Sequence, residues 1–409
     1  MIKIEKIKRF IGKQQVMLFL LLFILCVQCA NHPQLSTEQK MQDFDFLYQT
    51  LKENYPFFDA TKRQFNTDWL SKKDVYLGRI KNTPNDSVFF MTMVFIIQEL
   101  RCPHLHVSCG GHEMMLDVYK RATIEKPKYA KWVEVLEKSK KQSVYWQKIW
   151  DDYVAGYTKH TSQIQPQEIF YSDSILVEDK IAIMRVKSFF YDNLANDSVK
   201  ITSFLEKVKD YDNLIIDIQD NYGGSSNYWK KYIVGKISDT MITFHRHQVM
   251  KDGSMNRHFN SDIEKWQIAT KQNVFYPNIP DEILDGSYYW ASYPDTIKPQ
   301  NPIPFKGKIY VLVNNFVVSA SDDFAYFCKV SKWATVAGIR TMGEGANCGE
   351  PTLFMLPNSG ILVRHPSIAG LNEDGSLNFE TKTNPDIEIE ARNSDERLER
   401  LINHIKSEE

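Results

Sequence analysis

The sequence lacks the features that mark several special classes of protein. Its 50 Lys and Arg nearly balance 51 Asp and Glu, which excludes a generally basic nucleic-acid binder held by phosphate neutralisation. Six cysteines in 409 residues are too few for a disulfide scaffold. No apolar run reaches the roughly 20 residues of a spanning helix, which excludes a multi-pass membrane protein. What remains is a chain of 43% hydrophobic residues, long enough to form two or three globular domains.

The N-terminus has the pattern of an export signal. Five basic residues and one acidic residue within the first 15 precede the apolar run Val16–Val27, as in a secretory signal peptide. Cys29, just beyond this run, resembles the lipidated cysteine of a bacterial lipoprotein. We therefore predict a signal peptide over 1–28 and an anchored linker over 29–35, with an uncleaved signal anchor as the alternative. The expected location is the bacterial cell envelope, on a membrane, facing the periplasm or the cell surface.

The body divides into two regions with different hydrophobic periods. Three- and four-residue spacing of apolar side chains predicts a mostly helical N-terminal domain over 36–165. Strands alternating with helices predict an α/β core over 166–395, followed by a C-terminal tail over 396–409. The aromatic-rich segment 239–305 has no clear period and stays unassigned.

Two segments of the predicted core end strands in a way that suits acyl-transfer chemistry. Ser319 lies at a strand-to-helix junction, where the amide of Ala320 and its neighbours could hold a developing oxyanion. Gly223 and Gly224 follow a buried strand and could supply a second amide donor. For Ser319 the alternative is a capping box with Asp322, and for the glycine pair it is an ordinary turn.

A third segment contains two cysteines and two histidines in the order Cys102, His104, His106, Cys109. His104 is a candidate general base, because the usual pKa of histidine lies near neutral pH. A Cys102–Cys109 disulfide is compatible with that role, and a zinc site formed by all four residues is the third alternative. A fourth segment contains Glu380, a candidate for orienting a histidine or a solvated surface acid.

Taken in order, these segments resemble the tail-specific, or carboxyl-terminal processing, serine proteases, including the protease core of tricorn. The matching stretches are 217–224, 319–322, 338–343, 356–360 and the pair 385–386. The resemblance spans 40–392 and implies a crotonase-like α/β core behind the helical domain. It also implies an endopeptidase acting on polypeptides, without a metal or other cofactor.

Carried over by position, the resemblance assigns Ser319 as nucleophile, His104 as base and Glu380 as the orienting acid. It assigns the oxyanion hole to the amides of Ala320 and of Gly223 or Gly224. Glu344 stands where one branch of the family has its lysine base, and a carboxylate close to the nucleophile is expected to oppose an oxyanion. The alternative function is therefore a non-hydrolysing family member that binds a peptide or an apolar ligand.

Overall fold

The computed structural model describes residues 34–158, 170–190, 194–260 and 265–408. The predicted signal peptide, the lipidation site Cys29 and most of the linker lie outside these residues. The predicted domain boundary at 165 also lies outside them, and it stays a prediction. None of the helices in the described ranges is long and apolar enough to cross a membrane.

The helices concentrate in the N-terminal third of the chain. They are α1 Thr37–Asn54, α2 Phe58–Phe65, α3 Lys73–Lys81, α4 Asp86–Gln98, α5 His112–Glu125, α6 Ala130–Thr158, α7 Leu194–Val208, α8 Gly235–Ile237, α9 Ser254–Phe259, α10 Ala320–Ser331, α11 Asn378–Thr381 and α12 Ser394–Glu408. Ser36 and Gln39 form a capping box at the start of α1, and the Asn85 side chain accepts from the Val88 amide at the start of α4. These caps satisfy amides that have no partner within the helix.

The strands form three sheets. They are β1 His106–Val107, β2 Tyr171–Val177, β3 Ile181–Val186, β4 Asn213–Asp217, β5 Ile242–Lys251, β6 Gln267–Thr270, β7 Asp285–Ile297, β8 Lys308–Val313, β9 Thr335–Gly338, β10 Thr352–Met355, β11 Leu362–His365, β12 Ile368–Leu371 and β13 Ile387–Glu388. The largest sheet has the order β13-β9-β8-β4-β3-β2 and is parallel except for β2. The other two, β12-β5-β7-β6 and β1-β11-β10, are antiparallel.

Both faces of the parallel sheet are covered. One face packs on α7 and α10 through side chains such as Ile216, Phe204 and Phe324. The other face packs Ile215 against Leu401 of α12. Burial on both faces explains why these strands read as continuous apolar runs. It also shows that most of the segment predicted as a C-terminal tail is a helix that belongs to the core.

The helical N-terminal region shares a hydrophobic core with the two antiparallel sheets, where Phe44 and Phe89 cluster with Val249 and Val363. An α/β core preceded by a mostly helical region is thus confirmed as the fold class. The unassigned segment 239–305 contains most of the four-stranded sheet, with β5 and β7 paired from Ile242↔Ile297 to Lys251↔Tyr288. Its period was hidden because many β7 residues on both faces are only partly buried.

Candidate active site

Ser319 stands between β8 and α10 in an unusual backbone conformation. Its φ is 61° and its ψ is −130°, and it makes no side-chain capping bond. A non-glycine residue in this region is strained, and such strain clusters at functional sites. Ser321 bonds the Val318 amide and the Asn221 carbonyl instead. The capping-box alternative for Ser319 is therefore wrong, and its hydroxyl is available for chemistry.

His104 lies within hydrogen-bond distance of that hydroxyl. Its Nε2 is 3.1 Å from Ser319 Oγ, although the two residues are 215 positions apart in the chain. The histidine occupies a tight turn in which the Leu105 amide donates to the Cys102 carbonyl. The chain then enters β1, which pairs with β11. This strand pairing holds an N-terminal residue against the C-terminal core.

The other side of the imidazole faces Glu344. Glu344 Oε2 is 3.3 Å from His104 Nδ1, and the Glu344 side chain is only 1% exposed. Because Nδ1 and Nε2 lie on opposite sides of the ring, the imidazole separates this carboxylate from Ser319. The sequence-based expectation that Glu344 opposes an oxyanion assumed that the carboxylate lies directly beside Ser319. With the imidazole between them, that assumption does not hold.

Glu380, predicted to orient the histidine, is placed elsewhere. Its two carboxylate oxygens each accept from Arg63 at 2.9 Å, and Arg63 also pairs with Glu282. The side chain of Glu380 is 20% exposed. The structure therefore corrects the predicted trio. The acid beside His104 is Glu344, because the loop after β9 and not the short helix α11 reaches the imidazole.

Asp322 holds the loop that carries Glu344. Its fully buried carboxylate accepts from the Thr341 hydroxyl and from the amides of Gly345 and Ala346. Burial raises the pKa of Asp322, while these donors favour its charged form. Gly345 is required on steric grounds, since a Cβ there would lie 1.7 Å from the Ser319 carbonyl oxygen. Asp322 thus ties the loop that carries Glu344 to the first turn of α10, directly after Ser319.

Cys102 provides a neutral hydrogen-bond donor to the Glu344 carboxylate. Its Sγ lies 3.1 Å from Glu344 Oε2. Burial, followed by the nearby Glu344 charge, raises the pKa of the Cys102 thiol well above its usual value. The thiol therefore keeps its proton and can donate it. This role was missed at the level of sequence, where Cys102 was considered only for a disulfide or a metal.

The two predicted oxyanion glycines differ in their surroundings, and Gly223 is the one that packs against Ser319. A Cβ on Gly223 would come within 2.8 Å of Ser319 Cβ and 3.0 Å of the Ala320 nitrogen. The Gly223 amide already donates to Asn221 Oδ1 at 2.8 Å. Gly224 packs on the backbone of Phe189. Of the predicted donors, Ala320 opens α10, where a helical amide has no acceptor within the helix.

The disulfide and zinc alternatives do not match the geometry. Cys102 and Cys109 are free thiols. The Cys109 thiol donates to the Val107 carbonyl, and His106 Nδ1 lies 3.2 Å from the Pro103 carbonyl. Among the described residues, no group of three or more His, Cys, Asp or Glu side chains is arranged to hold a metal ion.

A comparison with protein families shows the class of the protein. The sequence pattern of peptidase family S41 matches residues 180–389, just over half of the chain. The chain belongs to peptidase family S41. Membership makes it, by class, a serine peptidase whose substrate is a polypeptide, and it confirms the resemblance drawn from the motifs. No curated protein sequence matches this S41 peptidase.

Solved structures extend the likeness over nearly the whole chain. A protein of Parabacteroides merdae ATCC 43184 classed as a peptidase has a TM-score of 0.55 and 20% identity, over 90% of this chain and 96% of its own. Mature CPAF complexed with lactacystin has a TM-score of 0.57 and 12% identity, over 91% of this chain and 97% of its own. At these identities the likeness concerns the fold, and it covers the helical region as well as the S41 core.

Proposed function

We propose that this S41 peptidase is an endopeptidase that cleaves polypeptides by Ser319–His104–Glu344 acyl transfer. The observation that carries the proposal is the continuous line of contacts from Ser319 Oγ through both ring nitrogens of His104 to Glu344 Oε2. A nucleophile bonded to a base that is itself oriented by an acid is the arrangement used by serine hydrolases on unrelated folds.

Each residue has a defined task in the proposed reaction. Ser319 Oγ attacks the scissile carbonyl while His104 Nε2 takes its proton, and the same proton then passes to the leaving amine. Glu344 accepts from Nδ1–H, which sets the tautomer and stabilises the imidazolium. Water, activated by His104, then attacks the acyl-enzyme and releases the second product with Ser319 restored.

The developing oxyanion requires donors at the start of α10. We assign the Ala320 amide as one donor, because the first amides of a helix point out of its N-terminal end. The Gly224 amide remains the predicted partner, since the Gly223 amide is engaged by Asn221. Oxyanion donors of this kind contribute about 10²–10³ in kcat.

Hydrolysis explains the site better than non-hydrolytic binding does. A strained Ser319 with a hydroxyl that caps nothing, and a buried acid held against a histidine, have no evident use in passive binding. Both features are costly to fold and would serve proton transfer.

Labelling with a fluorophosphonate probe tests the nucleophile directly. We expect wild type to be labelled at Ser319 and to cleave an unfolded polypeptide. Ser319→Ala should abolish both, and His104→Ala should reduce both by several orders of magnitude. Ser331→Ala is the matched control, because Ser331 lies at the other end of α10, where its hydroxyl bonds the Phe327 carbonyl and the Trp333 amide. An unlabelled wild type that leaves unfolded polypeptides intact contradicts the proposal.

Export and lipid anchoring complete the proposed function. The basic segment, the apolar run and Cys29 support a lipoprotein of the cell envelope whose peptidase body faces the periplasm or the cell surface. We expect the protein in the membrane fraction, and Cys29→Ala in the soluble fraction or retained as an uncleaved precursor. Intact mass of the purified protein identifies the acyl group. A wild type that lacks the lipid and keeps residues 1–28 points instead to the signal-anchor alternative.

A further inference from the structure

Two side chains of β5 contact the two segments that carry Ser319 and Glu344. Arg246 and Gln248 are two residues apart in an extended strand, so they point to the same face of the sheet. Arg246 reaches α10, which follows Ser319, and Gln248 reaches the loop beyond Glu344. Both are buried, and β5 lies between β12 and β7 in the four-stranded sheet. We call Arg246 and Gln248 the β5 pair.

The Arg246 guanidinium forms a two-point ion pair with Asp323 in the first turn of α10. Its Nη1 and Nη2 donate to the two carboxylate oxygens of Asp323 at 2.6 and 3.1 Å. The backbone amide of Asp323 donates to the Ser319 carbonyl at 2.9 Å. Two parallel hydrogen bonds fix the relative orientation of both planar groups. The ion pair therefore restrains the turn of α10 that follows the nucleophile.

Gln248 holds the loop that carries Glu344. Its Nε2 donates to the Asn347 carbonyl at 2.6 Å, and its Oε1 accepts from the Tyr293 hydroxyl of β7 at 2.9 Å. The Asn347 side chain donates to the Leu371 carbonyl at the end of β12. The loop is thus tied to two strands of the four-stranded sheet, close to the Glu344 carboxylate in the chain.

Both segments held by the β5 pair contain strained backbone. Ser319, Glu344 and Asn347 have positive φ values of 61°, 59° and 58°. Such conformations are unfavourable for residues other than glycine, and they persist only where the surroundings fix them. Asp322 fixes the two segments to each other, but that contact leaves their common position on the sheet open. The β5 pair fixes this position.

The ion pair belongs to a network of four charges with a buried end and an outer end. Arg246 Nε also donates to Asp295 at 2.8 Å, and Asp295 pairs with Lys230 at 2.7 Å. The side chains of Arg246 and Asp323 are 8% and 6% exposed, and those of Asp295 and Lys230 are 22% and 24% exposed. A buried ion pair adds little net stability, because removing both charges from water offsets their attraction. The buried end is therefore better explained by fixing α10 than by stabilising the fold.

We propose that Arg246 and Gln248 are positioning residues of the peptidase reaction. From one face of β5 they set the separation between α10 and the loop that carries Glu344. The contacts of His104 with Ser319 and Glu344 require that separation. This inference rests on the proposed peptidase function and adds to it two residues from the four-stranded sheet.

The kinetics of matched methionine variants test the β5 pair. We expect Arg246→Met to lower kcat about 10- to 100-fold, since small displacements of reacting groups have effects of that size. Gln248→Met should lower kcat about three- to tenfold, the scale of one neutral hydrogen bond. KM should stay within about twofold, because both side chains are buried and act on the reacting groups rather than on peptide binding.

Two variants outside the contacted segments are the controls. Lys230→Met removes a cation from the outer end of the same ion network, and Gln267→Met replaces an exposed glutamine of β6 in the same sheet. Both should keep wild-type kcat and KM. Wild-type kcat in both Arg246→Met and Gln248→Met overturns the inference.

A double variant separates positioning from stability. Arg246→Met combined with Asp323→Leu replaces the buried ion pair by apolar side chains, and it should regain the unfolding free energy that Arg246→Met loses. We expect its kcat to stay low, because apolar contacts do not fix the orientation of α10 as paired hydrogen bonds do. If kcat recovers together with stability, the ion pair is only structural and the inference is overturned.

Hydrogen–deuterium exchange separates failure of this inference from failure of the proposed function. In Arg246→Met the amides of 319–325 should exchange faster, and in Gln248→Met those of 343–348, while β3 and β4 keep wild-type protection. Unchanged exchange in both segments overturns the role of the β5 pair even in an active peptidase. Faster exchange there, in a protein whose wild type neither reacts with fluorophosphonate nor cleaves polypeptides, supports the fixing of both segments by β5 and contradicts the peptidase function.

Discussion

Two glutamates on neighbouring segments, Glu344 and Glu380, show how the environment selects one carboxylate for a site. Glu380 is partly exposed and already bonded through both oxygens to Arg63. Glu344 is almost fully buried, and its near partners are the Cys102 thiol and both the imidazole and the backbone amide of His104. A carboxylate paired with a permanent cation has little attraction left for an imidazolium. A buried one without such a partner stabilises the imidazolium strongly, because the surroundings screen it poorly.

The sharpest test of this comparison exchanges each acid for its amide. Glu344→Gln should lower kcat by roughly 10³–10⁴, the effect of replacing the acid of a Ser-His-acid trio. Glu380→Gln should stay within about threefold of wild type. Peptide turnover measures both, with thermal melts to show that the variants fold. Equal losses, or a larger loss at Glu380, would show that the acid beside His104 is not the orienting group.

Lowering the pH should destabilise the sheet β1-β11-β10, which positions His104, more than it destabilises the Arg63–Glu380 ion pair. Burial lowers the pKa of His365 in β11 to about 4, and β11 pairs with the strand that follows His104. Between pH 6.5 and about 4 the unfolded chain binds a proton that the folded chain does not. Stability therefore falls as the pH falls, by up to about 3 kcal/mol for this group.

Denaturant unfolding at several pH values checks this expectation. The comparison uses the slope of stability against pH, since His365→Gln also loses the contact with Thr352 Oγ1. The variant should show a shallower slope than wild type over that range. An identical slope would mean that His365 does not govern the acid limb.

The loop that carries Glu344 should depend on Asp322. In wild type, the Asp322 carboxylate accepts hydrogen bonds from two backbone amides and a hydroxyl. Asp322→Asn keeps the shape of the side chain but replaces one acceptor oxygen with an NH₂ group, which cannot accept from these donors. We expect kcat to fall about 10- to 100-fold, corresponding to ~1.5–3 kcal/mol for hydrogen bonds to a charged group. Asp395→Asn, at the exposed start of α12, is the control. Full activity in Asp322→Asn would show that the loop is held by other contacts.

The smallest effect is expected at the surface pair. Arg63→Ala removes the partner of Glu380 and Glu282, yet surface ion pairs contribute about 0–1 kcal/mol. Unfolding free energy should change by no more than that, and kcat should remain that of wild type. A large loss of activity would restore Glu380 to the site and reverse the comparison.

Much of the fold was readable from local patterns. The buried strand before Gly223 and Gly224 and the strand-to-helix junction at Ser319 were both predicted where the structure has them. These features depend on short-range rules that leave a trace in a few consecutive residues. The partly exposed strand β7 left no such trace, because its burial does not alternate cleanly. The helix α12 was missed because its apolar residues were read as a tail.

By itself, the amino-acid sequence determined the fold class and singled out Ser319 and His104 as candidates for one site, because a strand-to-helix serine and a histidine in an ordered set of motifs are local signals. Only the tertiary structure decided which carboxylate completes the group. Glu344 and Glu380 are both isolated acids in loops that follow the nucleophile, and nothing in either segment states its distance from the imidazole. That distance depends on the pairing of β1 with β11 and on the anchoring of the Glu344 loop by Asp322. These contacts join residues that are far apart in the chain. Which carboxylate lies beside His104 therefore depends on how the sheets and helices pack together.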